Sequence, residues 1–199
     1  MFLEMLGNKN RFALQKSFPG NTLMDRAALH YLRHRHPDFH SDEFRNIVGN
    51  DESVWEAPGY EIHTVSLSRA PYKEYHTNWD DDKLISGKML NEAVDTVMGI
   101  LDILETDTTM KRKFKGLIAL GNPKYDLYKH TVDPSIDRVV TDVQHKWNKM
   151  MDRLPMYFDQ GKSVLDIAEL HDLPYDEMYD YLSRFRDKGL IEFTKPKTA

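Results

Sequence analysis

The chain has 199 residues, with 27 Lys and Arg against 32 Asp and Glu, a net charge of −5. That balance argues against a protein whose main task is gripping nucleic acid, because such domains carry a basic surplus over the phosphate footprint. Cysteine is absent, which excludes disulfides, thiol nucleophiles and Cys-type zinc sites; any metal must be held by His, Asp or Glu.

Apolar residues make up 40% and charged residues 30% of the chain, the composition of a chain that buries a core. No apolar run approaches the ~18 residues needed to span a bilayer, and the first residues lack the pattern of a signal peptide. The expectation is a cytoplasmic protein with no membrane partner.

In chain order, Phe2 to Leu6 reads as a strand stopped by Gly7-Asn8, and Arg11 to Lys16 as a second strand ending before Ser17-Phe18-Pro19-Gly20. Thr22 caps a helix through Arg35, with Asp25 at the capping-box position and Pro37 closing it. Ser41 to Val48 is expected to form a short helix or turn, followed by the acidic turn Gly49-Asn50-Asp51-Glu52. Ile62 to Leu67 reads as a strand entering the loop Ser68-Arg69-Ala70-Pro71.

Met89, Leu90, Ala93, Val94, Val97, Leu101 and Leu104 then recur by three and four residues, predicting a long helix capped by Ser86. Alternating strands and helices predict an α/β layer on a mostly parallel sheet. From Thr106 to about Pro134 the pattern weakens into an extended connector. The tail predicts helices at about 136–158, 163–171 and 175–188, then a strand over 190–194 after a Gly189 stop. Two domains are expected, over 1–134 and 135–199, the second with the outline of a winged helix-turn-helix.

The informative loop is Tyr75-His76-Thr77-Asn78-Trp79-Asp80, just after a strand and just before the long helix. Sites of open α/β sheets lie at the carboxyl ends of strands. An imidazole there can bind zinc while Asp80 fixes its other nitrogen. His30, His34, His36 and His40 are dense, but no Glu follows His30 in a His-Glu-x-x-His arrangement, and Arg33 and Arg35 would repel a cation. No serine elbow or phosphate-cradling glycine loop is present.

Taken together, Glu4-Met5-Leu6-Gly7, Gly49-Asn50-Asp51-Glu52 with Pro58-Gly59, Leu67-Ser68-Arg69 with Tyr72, and Tyr75-His76-Thr77 resemble the zinc-aminopeptidase-like family, in particular the bacterial members of unknown function that end in a winged helix. The resemblance extends through Asp102 to Glu105 and Val164 to Glu169. It implies a three-layer α/β sheet domain, of which this chain carries the carboxy-terminal portion, and a peptide or aminoacyl substrate. It further implies Glu4 and His76 as metal ligands, zinc as the cofactor, Asp51 as a pocket carboxylate that shares protons or orients substrate, and Arg69 and Tyr72 as groups for a substrate carboxylate or carbonyl.

The family's earlier His and Asp ligands and its Glu-Glu base would lie upstream of Glu4. The resemblance therefore implies an incomplete, weak zinc site and no hydrolysis by this chain alone. The missing amino-terminal half, or a second copy, is the expected partner. A non-catalytic interaction module on the peptidase scaffold and a winged-helix regulatory protein stay open as alternatives. Residues 145–199 carry nine Lys and Arg against ten Asp and Glu, a net charge of −1. Tyr175-Asp176-Glu177 and Asp180 put carboxylates at the end of the third tail helix that would face phosphates, which favours protein docking over DNA.

Overall fold

The structure, a computed structural model, describes residues 1–131 and 141–194. It divides into two compact units, Met1–Glu105 and Thr106–Ala199. The first is built on a four-stranded sheet of β1 (Phe2–Leu3), β2 (Phe12–Gln15), β3 (His40–Asp42) and β4 (Ser66–Arg69), in the order β1-β4-β2-β3. It also holds α1 (Leu23–Arg35), the short α2 (Glu52–Trp55) and the twenty-residue α3 (Gly87–Thr106), which ends at the start of the second unit.

The sheet is mixed rather than mostly parallel. β1 runs parallel to β4 and β2 parallel to β3, but the central pair β2 and β4 is antiparallel, with Phe12 opposite Arg69 and Gln15 opposite Ser66. Alternation of strands and helices does not by itself fix direction, because a connection as long as 16–65 can return a strand either way. β3 occupies residues expected to form a helix or turn: His40-Ser41-Asp42 has no apolar periodicity, and it is a strand because β2 offers it a hydrogen-bonding edge. β2 and β4 are buried along their whole length, so both faces of the sheet centre are covered.

Local signals placed α1 correctly. The Thr22 hydroxyl accepts from the Asp25 backbone N–H at 3.2 Å, and the Asp25 carboxylate accepts from the Thr22 N–H at 2.8 Å, closing the capping box. Asp25 also accepts from the Ser17 N–H and hydroxyl, so one buried carboxylate ties the end of β2 to the start of α1. α3 starts one residue after Ser86, whose carbonyl accepts the Leu90 N–H at 3.0 Å.

The second unit contains β5 (Thr109–Arg112), α4 (Asp142–Tyr157), α5 (Val164–His171), α6 (Tyr175–Asp187) and β6 (Ile191–Thr194). α4 begins at Asp142, capped by Thr141; residues 136–140 of the expected helix, and the expected domain boundary at 134/135, lie outside the described residues. Ser163 and Asp166 form a second capping box, and Gly189, at φ +70°, ends α6 in the left-handed conformation that glycine adopts without strain. Met178, Tyr181, Leu182 and Phe185 are buried, as their spacing predicts, and so are Trp147, Met150 and Leu154 of α4 and Leu165 and Ile167 of α5; the Tyr181 ring meets Trp147 edge-on.

β5 lies in the stretch read as a connector. It pairs antiparallel with β6, Met110 opposite Phe193, which draws the chain from Thr106 onward into the second unit. Among the described residues, the strand pair beside the three helices is thus made from chain upstream of α4 and chain downstream of α6, rather than from a hairpin after α6.

In the first unit α1 approaches α3 at Gly99, where a Cβ would overlap the ring of Tyr31. Alanine in a helix interior ordinarily gains ~1 kcal/mol over glycine. Here overpacking reverses the sign: Gly99→Ala should lose about 1–3 kcal/mol in chemical denaturation. In a Tyr31→Ala background the same change should become stabilising.

Candidate functional site

The parallel pairing of β1 and β4 brings their carboxyl ends to one side of the sheet, and because β3 runs the other way its first residue, His40, reaches that side too. A cleft of about 610 Å³ opens there. It is lined by Glu4 after β1, by Arg69, Tyr72 and His76 on and after β4, and by His40 and Asn50. Four residues that the sequence reading singled out from separate segments, Glu4, Arg69, Tyr72 and His76, therefore share one cleft.

Glu4 is held by its neighbours on one oxygen only. Asn50 donates its side-chain amide to Oε2, and the Glu4 backbone N–H donates to the Leu67 carbonyl at 3.2 Å. The other oxygen, Oε1, is buried and has no hydrogen-bond partner. Burial, and then the charge of Glu52, push the Glu4 carboxyl above its ordinary value, against a smaller opposing effect of the Asn50 hydrogen bond.

Asp51 does not line the cleft. It is exposed at the start of α2 and makes no side-chain cap, whereas its neighbour Glu52 is fully buried. Glu52 accepts from the Asn50 N–H at 3.0 and 2.8 Å and from the Gln15 amide at 3.3 Å. Gln15 in turn accepts from the Ile47 and Val48 N–H groups at 3.1 and 3.0 Å. The acid of this loop that shapes the site is thus Glu52, acting through Asn50 on Glu4. Two adjacent acids in a polar turn carry no periodic signal to separate the buried one from the solvated one.

Arg69 is 3% exposed. Its Nε donates to the Leu6 carbonyl at 3.0 Å, Nη1 to the Asn10 carbonyl at 2.8 Å, and Nη2 pairs with Glu92 of α3. The guanidinium also lies 3.9 Å over the Phe12 ring. Every nitrogen of the fork donates inside the chain, so Arg69 forms a wall of the cleft and fixes the 6–10 turn that follows Glu4.

Tyr72 donates its hydroxyl to Asp80, and that hydrogen bond is the main reason its phenol is pushed up to about 12. Asp80 therefore serves Tyr72 rather than His76. His76 is exposed, at φ +61°, with its ring stacked on Tyr75 at 3.9 Å; its nitrogens make no hydrogen bond among the described residues. Glu4 and His76 supply a hard oxygen and an imidazole, the donor types zinc takes. Among the described residues, no three His, Asp or Glu side chains gather into a group able to hold a metal ion. The orphaned Glu4 oxygen fits a ligand position in a set that these two residues begin but do not complete.

Residues 1–107 match the model of a domain of unknown function, DUF4910. The chain belongs to that family. Its fold is similar to that of a solved structure, a candidate peptidase from Clostridium acetobutylicum, with a TM-score of 0.72 at 17% sequence identity. The match covers 96% of this chain but 41% of that one, so the chain spans less than half the length of its structural neighbour. No curated protein matches the chain. No helix among the described residues is long and apolar enough to cross a membrane.

The raised Glu4 carboxyl sets a pH dependence. With its folded pKa above the ordinary 4.5, the folded state holds the proton more tightly than the unfolded state, so stability falls as pH rises through that window. Above the raised value the cost of ionising the folded carboxyl applies in full. Glu4→Gln, neutral at every pH, should raise Tm at pH 7, and the gain should shrink to nothing as the pH drops below 4.5 in thermal melts.

Proposed function

We propose that this chain is a portion of a metal-dependent, aminopeptidase-like hydrolase, with its substrate cleft at the carboxyl ends of β1 and β4. The observation that carries the reading is the buried, unpartnered Oε1 of Glu4 on the wall of a cleft that the His76 imidazole also lines. A carboxylate kept desolvated and half-satisfied lowers stability, and such a group is characteristic of a site that takes a ligand. The likeness to a candidate peptidase gives the fold context, and the remaining donors would come from outside this chain.

In this reading Glu4 and His76 hold zinc, which when bound supplies an activated water and polarises the scissile carbonyl. Asn50 aims Glu4 by occupying its second oxygen, and Glu52 orients Asn50. Tyr72, kept protonated by Asp80, forms the wall facing a peptide or aminoacyl substrate. Arg69 positions the turn after Glu4 rather than touching substrate. The three-helix second unit, with carboxylates at the start of α6, serves as a winged-helix-like docking module in the cytoplasm.

A second reading is a non-catalytic interaction module. It draws on the stripe Leu90, Val94 and Met98 of α3, which with Ile85 is 43–59% exposed.

Zinc titration of the full chain tests the first reading. Weak binding should weaken a further tenfold or more, about 1.4 kcal/mol, on either Glu4→Ala or His76→Ala. Hydrolysis of aminoacyl amides by the chain alone should stay at background, because among the described residues the cleft wall carries no second carboxylate beside Glu4 to act as a base, and general acid–base catalysis contributes ~10²–10⁴. Zinc affinity unmoved by both substitutions would remove the ligand assignment and leave the interaction module.

A further inference from the structure

A second hollow, of about 340 Å³, opens beside the Glu4 cleft. Met5, Tyr72 and Tyr75 line both, so these three side chains are the partition between them. The other large walls are apolar. Leu6 comes from the turn after β1, Leu84 and Ile85 from the end of a 3-10 helical turn over 82–84, and Leu90 from the first turn of α3.

Backbone contacts set the shape of this hollow. Met5 turns the chain after Glu4 at φ +51°, in the left-handed region. The Gly7 carbonyl accepts the Ser86 N–H at 2.8 Å, which holds the turn after β1 against the start of α3. A Cβ at Gly7 would stand 3.1 Å from Cγ2 of Ile85 and 3.5 Å from Cδ2 of Leu90, so glycine at this position keeps the space between those walls open.

The polar groups on the lining are engaged inside the chain. The Asn8 amide donates to the Met5 carbonyl at 2.8 Å and to the Arg69 carbonyl at 3.1 Å, and its oxygen accepts the Asn10 N–H at 2.8 Å. Asp80, the one carboxylate there, takes the Tyr72 hydroxyl. Among the described residues no lysine or arginine lines the hollow. A charged side chain entering it would give up water and meet no opposite charge that is not already in use. An apolar one would cover Ile85 and Leu90, which are 59% and 43% exposed, and gain by that burial.

We propose that the hollow receives the side chain of the substrate residue held in the Glu4 cleft, and that this side chain is large and apolar, of the leucine, methionine or phenylalanine type. The proposal rests on the hydrolase reading of that cleft and names the substrate class it selects. Met5 follows Glu4 directly and lines both spaces, so a residue bound at the Glu4 carboxylate has its side chain beside the opening.

The test is calorimetric titration of the full, zinc-free chain with glycinamide, L-leucinamide and L-lysinamide, which share the α-ammonium and the amide and differ in side chain. L-Leucinamide should bind at millimolar concentration, at least about tenfold more tightly than glycinamide, and more tightly than L-lysinamide. Leu90→Glu puts a carboxylate in the first turn of α3, where a helix favours one, and should bring L-leucinamide down to the level of glycinamide. Gly7→Ala, by narrowing the hollow, should weaken L-leucinamide severalfold. Absence of L-leucinamide binding, equal binding of glycinamide, tighter binding of L-lysinamide, or an L-leucinamide affinity that neither substitution moves would each overturn the proposal. Zinc held through Glu4 and His76 without any preference for L-leucinamide would overturn the side-chain pocket and leave the hydrolase reading standing. A preference for L-leucinamide in a chain whose zinc affinity ignores Glu4→Ala and His76→Ala would support the pocket and remove the hydrolase reading alone.

Discussion

The first unit is organised around one buried cation. Arg69 sits at the last position of β4, where its neighbours in space are Phe12 on β2, the carbonyls of the turn after β1, and Glu92 on α3. Removing a guanidinium from water is costly unless its donors are used, and here each nitrogen donates, to the turn after β1 or to α3. The same pairing that satisfies the charge fixes the turn from Leu6 to Asn10 relative to the sheet. Asn8 reinforces it by donating to the Met5 and Arg69 carbonyls. Glu4, immediately before that turn, inherits its position from this arrangement.

A second chain of contacts runs to Glu4 from the other side, from Gln15 through Glu52 to Asn50. The outcome is a carboxylate with one oxygen oriented and the other left bare, beside a second buried acid that raises its energy when ionised. Structures tolerate such arrangements where a ligand will supply what is missing. His76 differs in kind. It is carried on an exposed loop, with its ring stacked on Tyr75. In the second unit Tyr181 and Trp147 are packed into the core with their polar atoms unsatisfied.

Local chemistry was enough to read α1, α3, α5 and α6 from the chain. Thr22 and Asp25, Ser163 and Asp166, and Gly189 act within one helical turn of themselves, and the three-four spacing of apolar residues needs no distant partner to be meaningful. Glu4, Arg69 and Tyr72 were singled out by the family resemblance, and only the His76 loop by its place after a strand; that the four line one cleft is a fact of the folded chain. What the chain alone could not show was β3 and β5. His40-Ser41-Asp42 and Thr109 to Arg112 have little strand character of their own, and each forms against an edge contributed by residues far away in sequence.

The division of roles among the polar residues was decided by tertiary structure alone. Asp51 and Glu52 are interchangeable as letters, yet one is solvated and the other buried beneath the Glu4 loop. Arg69 reads as a free substrate clamp until the carbonyls of residues 6 and 10 close on it, and Asp80 reads as a partner of His76 until Tyr72 reaches it first. The sequence by itself determined where α1, α5 and α6 begin and end, because those depend on contacts a few residues long; the strand ends moved, β1 stopping at Leu3 rather than Leu6 and β4 running over Ser66–Arg69 rather than from Ile62 to Leu67. Which charge is buried, which donor is already spent and which way the central strands run depend on what the rest of the chain brings alongside, and only the folded structure decided them.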